Sequence, residues 1–259
     1  MSMEKIKVNY LYGGAVAQVI LDDGKGNVLD HIMMGELMTA FDIFKHMHGL
    51  KLITFEGAGK HFSFGASVEE HKKDSAGAMI KSFHQLFLTL KDLAIPTLAK
   101  ITGQCLGGGM ELAIMCNFLF AEKSAKLSQP EIILGVFPPP ASIILVEKLG
   151  LAKAEELIIT GKVINAEDGK SIGLIQEVYN DKAELGTGVD NFIEQQILPK
   201  SASSLRFAVK ASRVKFNHVL TNFLPVLEQM YVHELMNTKD ANEGINSFIE
   251  KRKPVWENI

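Results

Sequence analysis

The sequence predicts a mixed α/β fold, and three observations carry the prediction. From Lys5 to Glu122, short strand-like runs and helical runs follow in the order strand, strand, helix, strand, helix, strand, helix, strand. One of those strands, Ile95–Ile101, feeds the helical run Met110–Met115 through Gly107-Gly108-Gly109. Beyond about residue 139 the strands nearly vanish and apolar-faced helical segments take over. The 259 residues suit one large domain, or a core with a smaller appendage. We divide the chain into a core, residues 1–200, and a C-terminal helical region, residues 201–259.

Taken in order, Lys5–Leu11 and Ala15–Leu21 alternate as strands, with Tyr12-Gly13-Gly14 as the hairpin turn between them. Asp22–Asn27 is a polar loop. His31–His48 has helical apolar spacing through Ile32, Leu37, Phe41 and Phe44. Leu50–Glu56 is a strand, 57–65 a loop, and Ser75–Leu93 a second long helix ended by the strand near Pro96. Phe118–Glu122 is a further strand. Ser142–Leu149, Ala152–Thr160 and Ala166–Ile172 read as helices, and Ile175–Tyr179 as the last strand. Val189–Ile197, Ser203–Phe216, Phe223–Met236 and Ala241–Lys251 are helical segments whose apolar faces must pack on the core or on another subunit.

Composition narrows the function classes. Hydrophobic residues make up 47% and charged residues 22%, a globular balance. A net charge of -3 argues against nucleic acid as the main partner. The two cysteines, Cys105 and Cys116, lie in apolar segments outside any CxxC spacing, as reduced core thiols of a cytoplasmic protein would. The N-terminus, Met1 to Val8, alternates too early for a signal peptide, and no apolar run approaches the roughly 20 residues that span a bilayer. Gly57-Ala58-Gly59-Lys60 fails as a phosphate loop, because Thr54 stands where its first glycine belongs and His61 where its Ser/Thr belongs. The chain has no GxGxxG after a strand, no HExxH and no GxSxG, so neither a dinucleotide site, a metal site nor an α/β-hydrolase elbow is expected.

Three segments remain that carry chemistry. In His61–Ser67, which follows a strand, the small pair Gly65-Ala66 offers the backbone N–H of Ala66 as a donor. In Gly107-Gly108-Gly109, a turn without side chains opens a helix. Backbone N–H groups and the positive helix end there can hold an oxygen that becomes negative during a reaction. Glu111 follows one turn on, as a candidate acid or base. In Ser128–Gly135, Glu131 opens a short apolar segment, where burial would raise its pKa. The plainer reading of Ser128-Gln129-Pro130-Glu131 is a capping box. Two carboxyls in different surroundings are what addition of water across a double bond requires, one activating water and the other handling the proton at carbon.

Phe64-Gly65-Ala66, Leu106–Ala113, Gln129-Pro130-Glu131-Ile132 with Leu134-Gly135, and the tail Asp240–Arg252 together resemble the crotonase (enoyl-CoA hydratase/isomerase) superfamily, from about Lys5 to Trp256. The resemblance implies a crotonase-like spiral of ββα units with a C-terminal helical trimerisation region. The assembly would be a homotrimer or a dimer of trimers. It implies an acyl-CoA substrate, with coenzyme A part of the substrate and no separate cofactor. The family's oxyanion hole maps onto the N–H groups of Ala66 and Gly108, and its hydratase glutamates map onto Glu111 and Glu131. Keeping both glutamates favours a hydratase over an isomerase working through Glu131 alone, or over a non-catalytic RNA-binding relative.

Where typical hydratases carry Gly-Ala-Asp, this chain has Gly65-Ala66-Ser67. Where they carry a glycine-rich stretch, it has Phe137-Pro138-Pro139-Pro140. Proline stiffens that loop and removes N–H donors, leaving an apolar, fixed acyl pocket. With Phe62–His71, this resembles the family's hydratases of cyclohexa-1,5-diene-1-carbonyl-CoA, which give 6-hydroxycyclohex-1-ene-1-carbonyl-CoA. A linear enoyl-CoA is the alternative substrate. Substrate contacts are expected from Lys25, Phe64, Ser67, Val68 and Phe137. Lys25, Lys60 and Lys251-Arg252-Lys253 are the candidate cations for the CoA phosphates.

Overall fold

A computed structural model of the protein describes residues 3–259. Met1 and Ser2, the start of the segment judged against a signal peptide, lie outside the described residues. Strand β1 (Ile6–Leu11) turns through a 3-10 segment at Tyr12–Gly14 into antiparallel β2 (Val16–Leu21), with Val8 opposite Val19. Gly13 and Gly14 take φ +65° and +88° there, a left-handed path that glycine adopts without strain. Then β3 (Leu52–Gly57), β4 (Thr97–Ile101), β6 (Phe118–Glu122) and β9 (Glu177–Tyr179) add in parallel, giving the order β1-β2-β3-β4-β6-β9.

Both faces of this sheet are covered, and the side-chain period of two sorts residues between them. Val19, Phe55, Ala99 and Leu119 join the larger core, which includes residues of α1 (His31–Lys45) and α2 (Lys73–Leu93). Val16, Leu52, Leu98 and Phe120 face the other way, onto Leu185 and Val189 of α7 (Lys182–Phe192) and the π-helical turn Ile193–Ile197 that continues it. Burying a ring such as Phe83 or Phe87 on α2 contributes about 1.5–3 kcal/mol each. Asp30 caps α1 by accepting from Met33 N–H at 3.0 Å, a contact worth about 1 kcal/mol.

The chain departs from the sequence reading where elements are short or begin at proline. A second sheet, β5 (Gln104–Leu106), β7 (Lys126–Ser128) and β8 (Ile164–Asn165), was not anticipated, because two or three residues show no alternation. Helix α4 (Pro139–Leu149) starts within the proline run, three residues before Ser142, since proline at a first helical position forfeits only an N–H that has no intrahelical partner. Helix α5 (Leu151–Thr160) matches its expected span closely, and α6 (Ala166–Ser171) opens with a capping box on Asn165. Helix α7 begins at Lys182 rather than near Val189, because Asp181 accepts from Ala183 and Glu184 N–H. The expected helix Ser203–Phe216 is two: α8 (Ala202–Ser212) and α9 (Val214–Gln229) break at Arg213. A π-helical turn, Met230–Glu234, follows α9, and α10 (Lys239–Ile249) closes the chain. Among the described residues no helix is long and apolar enough to cross a membrane.

Candidate active site

The site is assembled by the second, smaller sheet. Parallel pairing sets Leu106 beside Ser128, and Gly107 N–H donates to Ser128 O at 2.9 Å. The residues just past that register are therefore neighbours: α3 (Gly108–Met115) on one strand, and the 3-10 segment Pro130–Leu134 on the other. Glu111 and Glu131, twenty residues apart in sequence, come to one cavity by this route. The contact is close: a Cβ added at Gly107 would lie 2.7 Å from Glu131 Oε1. Gly107 has φ +48°, so both backbone shape and space call for glycine.

The loop after β3 is stitched to β5 on its other side. Ser63 N–H donates to Gln104 O and Leu106 N–H to Ser63 O, at 3.1 and 3.0 Å. Buried Asn27 donates to the carbonyls of Ala58, His61 and Phe62, and Ser63 Oγ donates to Asn27 O at 2.7 Å. Ser63 Oγ in turn accepts from Gly65 N–H. The Gly65-Ala66 turn is thus held from several sides. Gly65 has φ +104°, and its Cβ position lies 2.9 Å from Leu106 O and 3.3 Å from Gly108 N. A Cβ at Gly108 would meet Ala66 N at 3.0 Å. So the amides of Ala66 and Gly108 stand side by side, and among the described residues neither donates to a protein acceptor.

Helix α3 is buried throughout, as a helix apolar on every side except at Glu111 requires. Its C-terminal carbonyls are met by cations: Arg213 donates to Met115 O at 2.9 Å and Lys148 to Cys116 O at 2.8 Å. Burial first, and then Arg213, push Lys148 down to about 7. These contacts complement the negative end of a helix whose positive end is Gly108. Cys105 and Cys116 are free and buried, and burial raises both thiols.

Glu111 is only 3% exposed. Its Oε1 accepts from Ala141 N–H at 2.9 Å, the first N–H that α4 offers after Pro139 and Pro140. Burial, then the neighbouring Glu131 charge, hold the Glu111 pKa well above the carboxylate range; the Ala141 bond pulls the other way. Glu131 is raised too, chiefly by desolvation. The expected capping box does not form. Ser128 Oγ donates to Gly161 O instead, Gln129 occupies the cap position without a side-chain bond, and the Glu131 side chain turns to the cavity. Buried Gln129 faces Glu131: with its amide nitrogen turned inward it donates to both carboxylate oxygens, at 3.2 and 3.1 Å.

The cavity has a volume of about 430 Å³ and is mostly apolar. Of the residues singled out in the sequence, Glu111, Glu131, Ala66, Gly108, Phe64, Ser67, Val68 and Phe137 all line it, with Pro138 and Pro139 beside them. Pro140 does not reach the wall. The five candidate cations do not line it either. Lys25 and Lys60 are exposed, and Lys25 precedes Gly26, whose Cβ position abuts the Phe64 ring. Arg252 is occupied by Glu243 and Glu250, so its charge is largely spent within the tail. Sequence reasoning missed Tyr231, His71, Phe83, Ile245 and Phe248, which also line the cavity. His71, Ile245 and Phe248 lay within quoted motifs without being singled out as site residues, and Tyr231 and Phe83 lay in none. No group of three His, Cys, Asp or Glu side chains placed to hold a metal occurs among the described residues.

Paired carboxyls beside two unspent amides are the equipment of an acid–base enzyme acting next to a carbonyl. The enoyl-CoA hydratase/isomerase family model matches residues 12–258, and the chain belongs to that family. It is 40% identical over 245 residues to the cyclohexa-1,5-dienecarbonyl-CoA hydratase of Thauera aromatica, covering 95% of this chain and 94% of that one. The crystal structure of an enoyl-CoA hydratase from Mycobacterium avium subsp. paratuberculosis K-10 shares the fold, with a TM-score of 0.87 at 21% identity over 99% of this chain and 100% of that one. An enoyl-CoA hydratase from Bacillus anthracis matches with a TM-score of 0.77 at 26% identity, covering 98% and 100%. The protein is an enzyme, a hydro-lyase of the enoyl-CoA hydratase type with a crotonase fold.

Proposed function

We propose that the enzyme adds water reversibly to cyclohexa-1,5-diene-1-carbonyl-CoA, giving 6-hydroxycyclohex-1-ene-1-carbonyl-CoA. The observation that carries the reading is the convergence of Glu111, Glu131 and the free amides of Ala66 and Gly108 on one cavity walled by Phe137, Pro138 and Pro139. The likeness to the Thauera aromatica enzyme supports the ring as substrate. A wall fixed by prolines suits a rigid ring better than a flexible chain.

In this reading the thioester oxygen accepts from Ala66 and Gly108 N–H, each supplying about 3–4 kcal/mol as enolate charge develops. Glu111 and Glu131 hold the water. Glu111 takes its proton as the oxygen bonds to the carbon β to the thioester, and Glu131 returns a proton to carbon. With a linear enoyl thioester that proton would go to the α-carbon. In the ring the enolate extends over the second double bond, so here the proton goes to the far end of that extended enolate, and the double bond left in the product is a new one between the α-carbon and its other ring neighbour. Lys25, at the Phe64 edge, is our candidate for a CoA phosphate contact. We also propose that the enzyme works as a homotrimer, or a dimer of trimers, with α8 and α9 at the interface.

The test is turnover in heavy-oxygen water followed by mass spectrometry, with the cyclic dienoyl-CoA beside crotonyl-CoA. Faster incorporation of one labelled oxygen into the cyclic thioester is expected. Incorporation into crotonyl-CoA alone would leave hydration standing and overturn the ring. Glu111→Ala separates the isomerase alternative, since an isomerase relying on Glu131 would keep most of its activity.

A further inference from the structure

Tyr231 is 1% exposed, and its hydroxyl has no protein partner within hydrogen-bond reach among the described residues. Buried tyrosines ordinarily find such a partner, because an unsatisfied hydroxyl costs stability. This one lines the active-site cavity that Glu111 and Glu131 also line. Its ring is fixed edge-on to Phe137, centroids 5.5 Å apart, and to His71 at 6.5 Å. His71 is itself anchored, its Nδ1 donating to Ser67 O at 2.7 Å. The backbone under Tyr231 is also specialised. It lies in the π-helical turn Met230–Glu234, where one inserted residue rotates the side chains that follow α9. The chain therefore spends an irregular turn and an unsatisfied polar group to hold a phenol against the acyl pocket.

We infer that Tyr231 is a further substrate-binding residue, whose O–H donates to the oxygen that is added to, or leaves, the acyl chain beside the glutamate pair. The inference rests on the hydratase reading above but not on the ring. Burial, then the charges of Glu131 and Glu111, raise the Tyr231 phenol, so it remains a donor throughout the working range. Donation to the incoming oxygen orients it at the β-carbon and leaves its proton for Glu111. In the reverse direction the same bond steadies the departing hydroxyl.

The test is Tyr231→Phe in the full chain, which keeps the ring and deletes only the hydroxyl. Three quantities are measured: turnover, thermal stability, and the affinities of two thioesters that differ by the added oxygen, 6-hydroxycyclohex-1-ene-1-carbonyl-CoA and cyclohex-1-ene-1-carbonyl-CoA. The hydroxylated ligand should weaken about tenfold while the other changes less than about twofold, and kcat should fall about tenfold or more. Tm should not fall, because the deleted group had no partner to lose. Equal weakening of both ligands, or turnover within twofold of the parent, would overturn the proposal. If the parent hydrates only crotonyl-CoA, the ring assignment fails, and the same comparison is run with 3-hydroxybutyryl-CoA and butyryl-CoA.

Discussion

At the residue scale, Glu111 sets stability against activity. Its carboxyl binds a proton more tightly in the folded chain than in the unfolded one, because burial and Glu131 oppose its charge. Where the folded state holds the extra proton, folding stability falls as pH climbs from the ordinary carboxylate range toward the raised pKa. Glu111→Gln removes that loss while keeping the acceptor for Ala141 N–H. The variant should melt above the parent at pH 8, by about 2–4 °C per kcal/mol recovered. The gap should narrow toward pH 5 and close below about pH 4, where both forms are neutral. Thermal melts across that series read the sign, and the same variant should lose about 10²–10⁴ in hydration rate. The pair also predicts the pH profile. One carboxyl must be ionised and one protonated, so kcat should decline on the alkaline side well above the carboxylate range, as the last shared proton leaves. The two glutamates and two amides were legible in the sequence because each sits in a compact motif. Tyr231 was not, since one aromatic on an apolar helical run looks like core and the π-helical turn beneath it leaves no sequence signature.

At the scale of elements, the site depends on pieces of three residues. Strands β5 and β7 fix the register between Gly107 and Glu131, yet neither is long enough to show a period of two. The long strands and helices of the main sheet were legible for the opposite reason. The start of α4 was misplaced because proline reads as a breaker, although it is well suited to a first helical turn. The glycines at this junction give a graded prediction. Gly108 has ordinary helical backbone, but an added methyl would press on Ala66 N, Ala66 Cβ and Phe83 Cζ at 3.0–3.2 Å. Gly108→Ala should therefore fold and lose about 10²–10³ in kcat, by displacing one amide donor. Gly107→Ala adds a left-handed backbone and a 2.7 Å approach to Glu131, so it should lose Tm as well as rate. Gly35→Ala, on α1 with open space around it, is the control: stability should rise by about 0.5–1 kcal/mol with kcat unchanged. Equal activity in Gly108→Ala and Gly35→Ala would remove the Gly108 amide from the reaction.

At the scale of the whole molecule, the two ends of the helical region do different things. Helix α10 turns back on its own chain, and its Ile245 and Phe248 line the same cavity as Glu131. Helices α8 and α9 instead present apolar side chains to solvent: Phe207 is 70% exposed, and Phe223 and Val226 of α9 form an exposed stripe with Met230 just beyond its end. Exposed patches of this kind mark interaction surfaces, and the inner side of α9 is already committed through Leu220 and Leu224 to the core. Under the proposed assembly, sedimentation equilibrium should give three times the chain mass, or six times if trimers pair. Phe207→Asp combined with Phe223→Asp should shift the protein to monomers and lower its Tm, because charge at an apolar contact must be desolvated without a partner. Glu111, Glu131, Ala66 and Gly108 meet within a single chain, so such monomers should retain measurable hydration, with KM rising if a neighbouring subunit helps to hold the coenzyme A portion. A double variant that stays trimeric would exclude this face as the interface. One that becomes monomeric without any hydration would mean that a neighbouring subunit maintains the Glu111–Glu131 geometry.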